Sequence, residues 1–171
     1  MKLVGPVVVM GVSGAGKTRI AGMLAERTKG VFLDGDDFHP PENKAKMAAA
    51  IPLTDEDRWG WLDAIHGAMV SHVAEGHRVF VACSALRQAY RDRLSLGLPQ
   101  IRFVFLEGSK DLILQRLRQR QDHFMPPVLL ESQFRTLEEP KDALVVAADA
   151  SADTIVDGVL QGLGIGIEGE G

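Results

Sequence analysis

The chain has 171 residues, of which 46% are apolar and 25% charged, the composition of an ordinary globular domain that can bury a core. The net charge of −4 argues against nucleic acid or an anionic membrane as a partner, because either would favour a basic face. The single cysteine, Cys83, excludes an intrachain disulfide, and no apolar run approaches the roughly 18 residues of a membrane span. We therefore expect one domain over residues 1–171, located in the cytoplasm.

Five short apolar runs predict β-strands along the chain. The runs are continuous rather than alternating, which is typical of strands buried on both faces of a parallel sheet. They are Val7–Met10, 31–33, 79–83, 101–106 and Leu144–Ala147.

Helical patterns occupy the gaps between these strands. Lys17–Thr28 follows the first strand, and Thr54 with Asp57 forms a capping-box start for a helix that ends near Gly76. The alternation of strand and helix predicts a three-layer α/β fold with right-handed crossovers. Three serines are predicted to cap the later helices, namely Ser84, Ser109 and Ser151.

Three segments lie outside this alternation. Residues 34–52 and 121–127 fit neither pattern, and insertions on a rigid α/β scaffold often carry function. The Gly-rich residues 162–171 are predicted to be a flexible tail.

A phosphate-binding motif joins the first strand to the first helix. Its glycines let backbone N–H groups turn towards phosphate oxygens, and the following helix presents its positive end to the same anion. Lys17 is expected to reach the β- and γ-phosphates of ATP, and Thr18 to ligate Mg²⁺. The sequence matches G-x-x-x-x-G-K-[ST] in full, as Gly11-Val12-Ser13-Gly14-Ala15-Gly16-Lys17-Thr18.

Acidic residues follow the second strand rather than the third. Many nucleotide switches and motors place a metal-binding Asp after a later strand, but here that strand ends in Cys83-Ser84. Asp34 and Asp36 lie two apart, so in an extended segment both face the γ-phosphate across the crevice between neighbouring strands. One would hold the metal's water shell and the other would accept a hydroxyl proton. A solvated acidic turn is the alternative.

These residues belong to a wider pattern that resembles the gluconokinase family. The resemblance runs over residues 8–149. It implies a fold shared with nucleoside-monophosphate and shikimate kinases, with a five-stranded parallel sheet of order 2-3-1-4-5, a mobile lid and a homodimer. It also implies ATP-dependent phosphorylation of D-gluconate at the C6 hydroxyl. The matching segments are 33–40, Asn43 with Lys46-Met47, 51–58 with Trp61-Leu62, 83–87 with Tyr90-Arg91-Asp92, and 116–124.

The resemblance implies an acceptor-binding segment over about 36–60. Asp36 is the expected catalytic base and Asp34 the metal-side carboxylate, while the gluconate carboxylate needs a cation. Three arginines are candidates for that cation, and three further side chains for contacts with substrate. The cations are Arg58, Arg87 (where many family members carry Lys) and Arg91, and the further contacts are His39, Ser84 and His123. For His39, a role as a turn residue beside Pro40 is the alternative.

A lid is predicted over about 118–135. Arg120 is expected to neutralise charge on the transferring phosphoryl group, and Arg116 to contact the nucleotide. A solvated basic face is the usual alternative for such a run. The adenine pocket is predicted near residues 138–142.

Three alternative functions remain open from the sequence. Adenylylsulfate kinases share the Leu-Asp-Gly-Asp segment, but usually continue differently from Asp37-Phe38-His39-Pro40. Shikimate kinases carry a glycine-rich end of the third strand where this chain has Cys83-Ser84. A nucleotide-dependent regulatory binding module is the non-enzyme alternative, although it gives the acidic segment and the lid arginines no role.

Overall fold

A computed structural model describes residues 5–119 and 127–166, which contain a five-stranded parallel sheet. The strand order is β2-β3-β1-β4-β5, so the predicted sheet and its order are confirmed. Each strand boundary falls within one residue of the predicted run. The strands are β1 (Val7–Met10), β2 (Val31–Asp34), β3 (Val79–Ala82), β4 (Arg102–Glu107) and β5 (Leu144–Ala147).

Helices connect the strands and cover the sheet. Five of them correspond to predicted helices, although one begins later than expected, whereas the two that begin at prolines, together with a 3-10 turn at Gly35–Phe38, were not predicted. The helices of the described residues are α1 (Lys17–Thr28), α2 (Pro41–Ala48), α3 (Asp55–Ala74), α4 (Gln88–Leu94), α5 (Lys110–Gln119), α6 (Pro127–Thr136) and α7 (Ala152–Leu163).

The central strand β1 shows why the apolar runs are continuous. Val7 and Val9 pack into a cluster with residues of α1, α5 and α7 on one face of the sheet. Val8 and Met10 pack with residues of α3 and α4 on the other face. Successive side chains of a strand point to opposite faces, so a strand covered by helices on both sides is apolar at every position. The predicted three-layer architecture is confirmed.

Three of the predicted helix caps are confirmed. Thr54 and Asp57 form a reciprocal capping box at the start of α3. The Ser109 hydroxyl accepts from the backbone N–H of Leu112 at 3.1 Å. The Ser151 hydroxyl caps α7 in the same way.

The fourth predicted cap, Ser84, is wrong. The helix after β3 begins at Gln88, and residues 83–86 are neither helical nor strand. Ala85 takes a left-handed φ of 47°, and the carbonyl of Ser84 accepts the N–H of Gly11 at 3.3 Å. This tertiary contact holds the end of β3 against the phosphate loop, so the helix begins only after it.

The last helix overlaps the predicted tail only at residues 162–163. Helix α7 continues to Leu163, where Gly164 ends it with a φ of 68°, and residues 167–171 lie outside the described part.

Within the described residues, no helix combines the length and the apolar character that crossing a bilayer requires.

Candidate active site

The phosphate loop has the backbone that its glycines require. Gly14 and Gly16 have φ values of 86° and 101°, a left-handed region that residues with a side chain rarely adopt. The Lys17 ammonium donates to the carbonyl of Val12 at 2.9 Å. Because α1 starts at Lys17, its positive end lies with this ammonium at the carboxyl end of β1, where both favour an anion.

One cavity joins this loop to the segment after β2, to the end of β3 and to α6. Its walls combine a phosphate-binding group, a carboxylate, an imidazole and a guanidinium. Six of the residues predicted for the site line it, namely Ser13, Lys17, Asp36, His39, Arg58 and Ser84.

The acidic segment reaches the cavity through a tight turn. Asp34 ends β2, and its carboxylate accepts the backbone N–H of Asp36 at 3.0 Å, which starts the 3-10 turn. The extended geometry expected for this pair is therefore wrong, although Asp36 does line the cavity. A Cβ on Gly35 would lie 2.5 Å from the carbonyl of Ala82, so glycine is required for this approach to β3.

Burial and a nearby cation act on Asp34 in opposite directions. Partial burial raises the pKa of this carboxyl above its usual value, while the charge of Lys17 lowers it. Asp34 is not among the residues that line the cavity. Its carboxylate holds the turn that presents Asp36 and lies near the charge of Lys17.

His39 is a buried, neutral imidazole. It stacks on Trp61 with ring centroids 4.1 Å apart, and burial lowers its pKa to about 4. The Asn43 amide nitrogen donates to the carbonyl of Asp57 at 2.8 Å and lies 3.1 Å from His39 Nδ1. Since that nitrogen is a donor, Nδ1 accepts, and the proton is assigned to Nε2. His39 can therefore donate a hydrogen bond from Nε2.

Arg58 is held in place at the cavity wall. Its guanidinium donates to the Tyr90 hydroxyl at 2.8 Å, and that hydroxyl donates to Asp55 at 2.5 Å. The Arg58 side chain is 15% exposed. An arginine fixed in this way offers its remaining N–H groups to an anionic ligand without first being ordered.

Helix α6 covers the cavity with a small apolar cluster. Leu129 of α6 packs with Met47 of α2, and Ala50 and Leu53 pack against them. We call these four residues the roof cluster. It is separate from the clusters on the two faces of the sheet, so it joins α6 to the predicted acceptor segment independently of the main core.

Helix α6 also contacts the phosphate loop directly. The side-chain oxygen of Gln133 accepts the backbone N–H of Ser13 at 2.6 Å, and Gln133 lines the cavity. The sequence analysis missed this residue. The available signal was the pattern of Leu129-Leu130 followed by Ser132-Gln133, an apolar and then a polar pair spaced to share helix faces.

A second cavity lies on the other side of the phosphate loop. It is lined by Gly14, Gly16 and Arg116, together with the start of α7. The Arg116 guanidinium donates to the carbonyls of Ala15, at 3.3 Å, and of Ala148. Arg116 thus connects the phosphate loop to the β5–α7 connection.

The other two candidate arginines do not reach the first cavity. Arg91 is 3% exposed and donates to the carbonyls of Ala85 and Glu138. Arg87 caps α4 and lies 3.8 Å from Asp55. Because Arg87 precedes the helix, its spacing of four residues from Arg91 does not place the two side chains on one helix face.

The remaining predictions fall partly outside the described residues. Arg120 and His123, and with them part of the predicted lid, lie between residues 119 and 127. Glu138, predicted near adenine, instead accepts the N–H of Gln88 and donates its own N–H to the carbonyl of Leu86. It ties α4 to the segment before β5 rather than lining the second cavity.

The family model and the relatives that this chain matches are kinases of small molecules. The family model for shikimate kinase matches residues 13–160. The thermosensitive gluconokinase of Escherichia coli is 45% identical over 78% of this chain and 72% of its own, and a probable gluconokinase of Mus musculus is 40% identical over 95% and 100%. A solved gluconokinase structure from Sinorhizobium meliloti superposes with a TM-score of 0.86 at 42% identity, covering 96% of this chain and 94% of that one.

Proposed function

This chain belongs to the gluconokinase family, and we propose that it transfers the γ-phosphate of ATP to the C6 hydroxyl of D-gluconate. One observation carries the proposal. A single cavity is lined by Lys17 of the phosphate loop, the carboxylate of Asp36 and the guanidinium of Arg58. These are the groups that a phosphate donor, a reacting hydroxyl and a substrate carboxylate would each need.

The phosphate loop supplies the donor side. Its N–H groups, Lys17 and the positive end of α1 bind the phosphates of ATP. The second cavity, beside Arg116, is the place for the rest of the nucleotide, because it opens directly from Gly14 and Gly16. This proposal replaces the predicted adenine pocket near residues 138–142.

The acceptor side orients gluconate by its two ends. Arg58 binds the carboxylate, and a charge-assisted bond of this kind contributes roughly 1.5–3 kcal/mol. His39 Nε2 and the Ser84 hydroxyl bind hydroxyls of the sugar acid. Asp36 orients the terminal hydroxyl and accepts its proton as the oxygen attacks the γ-phosphorus.

Two further parts of the reaction rest on the family resemblance. Thr18 and Asp34 offer hydroxyl and carboxylate oxygens, the donors that Mg²⁺ prefers, so they fit a Mg²⁺ site. Mg²⁺ held there would neutralise charge on the phosphate oxygens. Arg120 remains the proposed side chain that neutralises the transferring group, and His123 a proposed substrate contact.

An acceptor screen tests the proposed reaction. ADP release is coupled to an optical readout with gluconate, shikimate, adenylylsulfate or a nucleoside monophosphate as the acceptor. We expect turnover with gluconate to exceed that with each other acceptor by at least about 100-fold, because their shapes and charges do not match Arg58, His39 and Asp36 together. Faster turnover with another acceptor would reject the gluconate assignment, and ATP binding without any turnover would indicate a regulatory module.

The role of Asp36 has its own test. Asp36→Asn keeps the size of the side chain but cannot accept the proton, so we expect turnover to fall by roughly 10²–10⁴-fold while the Kd for ATP stays within about twofold. Asp37→Asn is the matched control, since Asp37 is an exposed neighbour in the same turn. Equal turnover in the two variants would remove Asp36 as the base.

The homodimer is likewise a proposal from the family resemblance, and the cytoplasmic location is a proposal from the sequence composition. Light scattering coupled to size-exclusion chromatography tests the first, with a mass of twice the 18.6 kDa chain expected. Fractionation of the source cells tests the second.

A further inference from the structure

Three potential metal ligands converge where α3 ends and the chain turns towards β3. His72 lies in the last turn of α3, Glu75 follows the helix, and His77 lies in the turn. One ligand atom from each residue lies within 4.8 Å of the others. His72 is partly buried, whereas the other two are exposed.

Two of the three separations between these atoms are close to those of a tetrahedral metal site. The Nδ1 atoms of His72 and His77 are 3.1 Å apart, and His77 Nδ1 lies 3.5 Å from a Glu75 carboxylate oxygen. Ligands about 2.0–2.1 Å from a tetrahedral zinc ion are about 3.3–3.4 Å from each other. A single ion can therefore contact all three groups with small side-chain movements.

The backbone holds this arrangement together without a metal. The N–H of His77 donates to the carbonyl of His72 at 3.0 Å, and Gly76 makes the turn with a φ of 82°. The end of a helix carries a partial negative charge, and Glu75 adds a full one, so the local field favours a cation. The two Nδ1 atoms lie 3.1 Å apart, so both ring nitrogens face the centre of the cluster.

We propose that His72, Glu75 and His77 form a binding site for a divalent transition metal, with Zn²⁺ the best match. Two imidazoles and one carboxylate select zinc over Mg²⁺ and Ca²⁺, which prefer oxygen ligands. A water molecule completes the coordination. The ion links the end of α3 to the turn that enters β3. Arg58 lies fourteen residues earlier on the same helix, about 21 Å along its axis, so the site is separate from the acceptor cavity.

Calorimetric titration of the whole chain tests this site. Untagged protein is stripped with EDTA, exchanged into chelator-free buffer without nucleotide, and titrated with ZnCl₂ and separately with MgCl₂. We expect one Zn²⁺ per chain and no comparable binding of Mg²⁺. His72→Gln and His77→Gln each weaken Zn²⁺ binding at least tenfold, because each removes a direct ligand.

A histidine on the same helix provides the control. His66 contacts the carbonyl of Leu96 at 2.6 Å and lies outside the cluster, so His66→Gln keeps wild-type Zn²⁺ affinity. Thermal unfolding gives a second readout, since a ligand that binds the folded state raises Tm in the wild type and in His66→Gln but not in His77→Gln. Zn²⁺ binding that survives in both His72→Gln and His77→Gln overturns the proposal and indicates adventitious binding elsewhere.

Discussion

Arg58 and Arg87 carry the same charge, and only their positions distinguish the proposed acceptor-binding arginine from the other candidate. Both lie near the carboxylate of Asp55, at 3.9 Å and 3.8 Å. Arg58 lines the cavity and is 15% exposed, whereas Arg87, directly before α4, is 45% exposed. A charge that is partly withdrawn from water binds an anion more strongly than one that solvent screens.

The first prediction concerns this pair. Arg58→Lys keeps the charge but loses the planar fork and the bond to Tyr90, so we expect the KM for gluconate to rise about tenfold or more. The KM for ATP stays within about twofold. Arg87→Lys, the matched control, leaves both constants near the wild-type values. Steady-state kinetics with each substrate varied in turn checks this, and a larger effect from Arg87→Lys would reverse the assignment.

Gln133 presents a neutral oxygen to the phosphate loop. Gln133→Glu replaces it with a carboxylate, which accepts the Ser13 N–H more strongly and competes with phosphate for the loop. We expect the Kd for ATP to rise about tenfold or more. Gln133→Met has a similar length without the charge, so its effect should stay below about threefold. Fluorescence titration with an ATP analogue measures both values, and equal effects would show that charge at this position is immaterial.

At the level of single residues, sequence alone identifies the cavity-lining groups that lie within local motifs. The phosphate loop and Asp36 belong to continuous segments whose residue types already state their chemistry. Gln133 is different, because it lies 120 positions from Ser13 and meets the loop only when the chain folds. The guanidinium of Arg91 donates to backbone carbonyls. Its neighbouring sequence does not distinguish this structural role from ligand binding.

At the scale of elements, α2 and α6 enclose the first cavity by packing on each other. The roof cluster joins them through Met47 and Leu129, which are 8% and 4% exposed. Leu130, the next residue of α6, belongs instead to the cluster beneath α1, α5 and α7. Neighbouring residues of α6 thus connect the cavity roof to the main core.

The roof cluster gives the third prediction. Leu129→Ala removes the contact that α6 makes with the roof cluster, while Leu130 still anchors the helix to the main core. The substitution therefore weakens the cavity wall rather than the core. We expect the KM for gluconate to rise by about fivefold to tenfold, because acceptor binding must then order α6 against α2. The control is Val128→Ala, a neighbouring side chain that is 57% exposed. Equal KM values for the two variants, measured beside their Tm values, would exclude this role for the roof.

The helices and strands that the sequence predicts correctly are those whose sequence pattern lies within the element itself. The strands are short apolar runs, and α1, α3 and α7 have either an amphipathic pattern or a strong cap. Helices α2 and α6 start at Pro41 and Pro127, within segments that fit neither predicted pattern, although proline is favoured at the first helical turn. The predicted cap at Ser84 fails because the contact between its carbonyl and Gly11 comes from another strand.

At the scale of the whole molecule, the parallel sheet brings the parts of the site together. β1 leads into the phosphate loop, β2 into the acidic turn and β3 into Ser84, and these three strands are neighbours in the sheet. Parallel strands end at one edge, so segments that are far apart in sequence meet there. This arrangement also buries polar groups such as His39 beside the main core. Folding stability then depends on the protonation of the buried group.

The fourth prediction concerns this dependence on pH. The pKa of His39 is lowered from 6.5 to about 4 in the folded protein, chiefly by burial and also by the charge of Arg58. Between these two values the unfolded chain binds a proton at His39 that the folded chain does not, so the free energy of unfolding decreases as the pH falls through this window. Above this pH window, the contribution of the neutral imidazole to stability is complete.

The variant His39→Gln cannot take up that proton. Urea unfolding from about pH 4 to about pH 7 should therefore show a smaller loss of stability on acidification than in the wild type. Parallel curves for the two proteins would mean that His39 titrates alike in both states, and that the stacked, buried imidazole does not persist in solution.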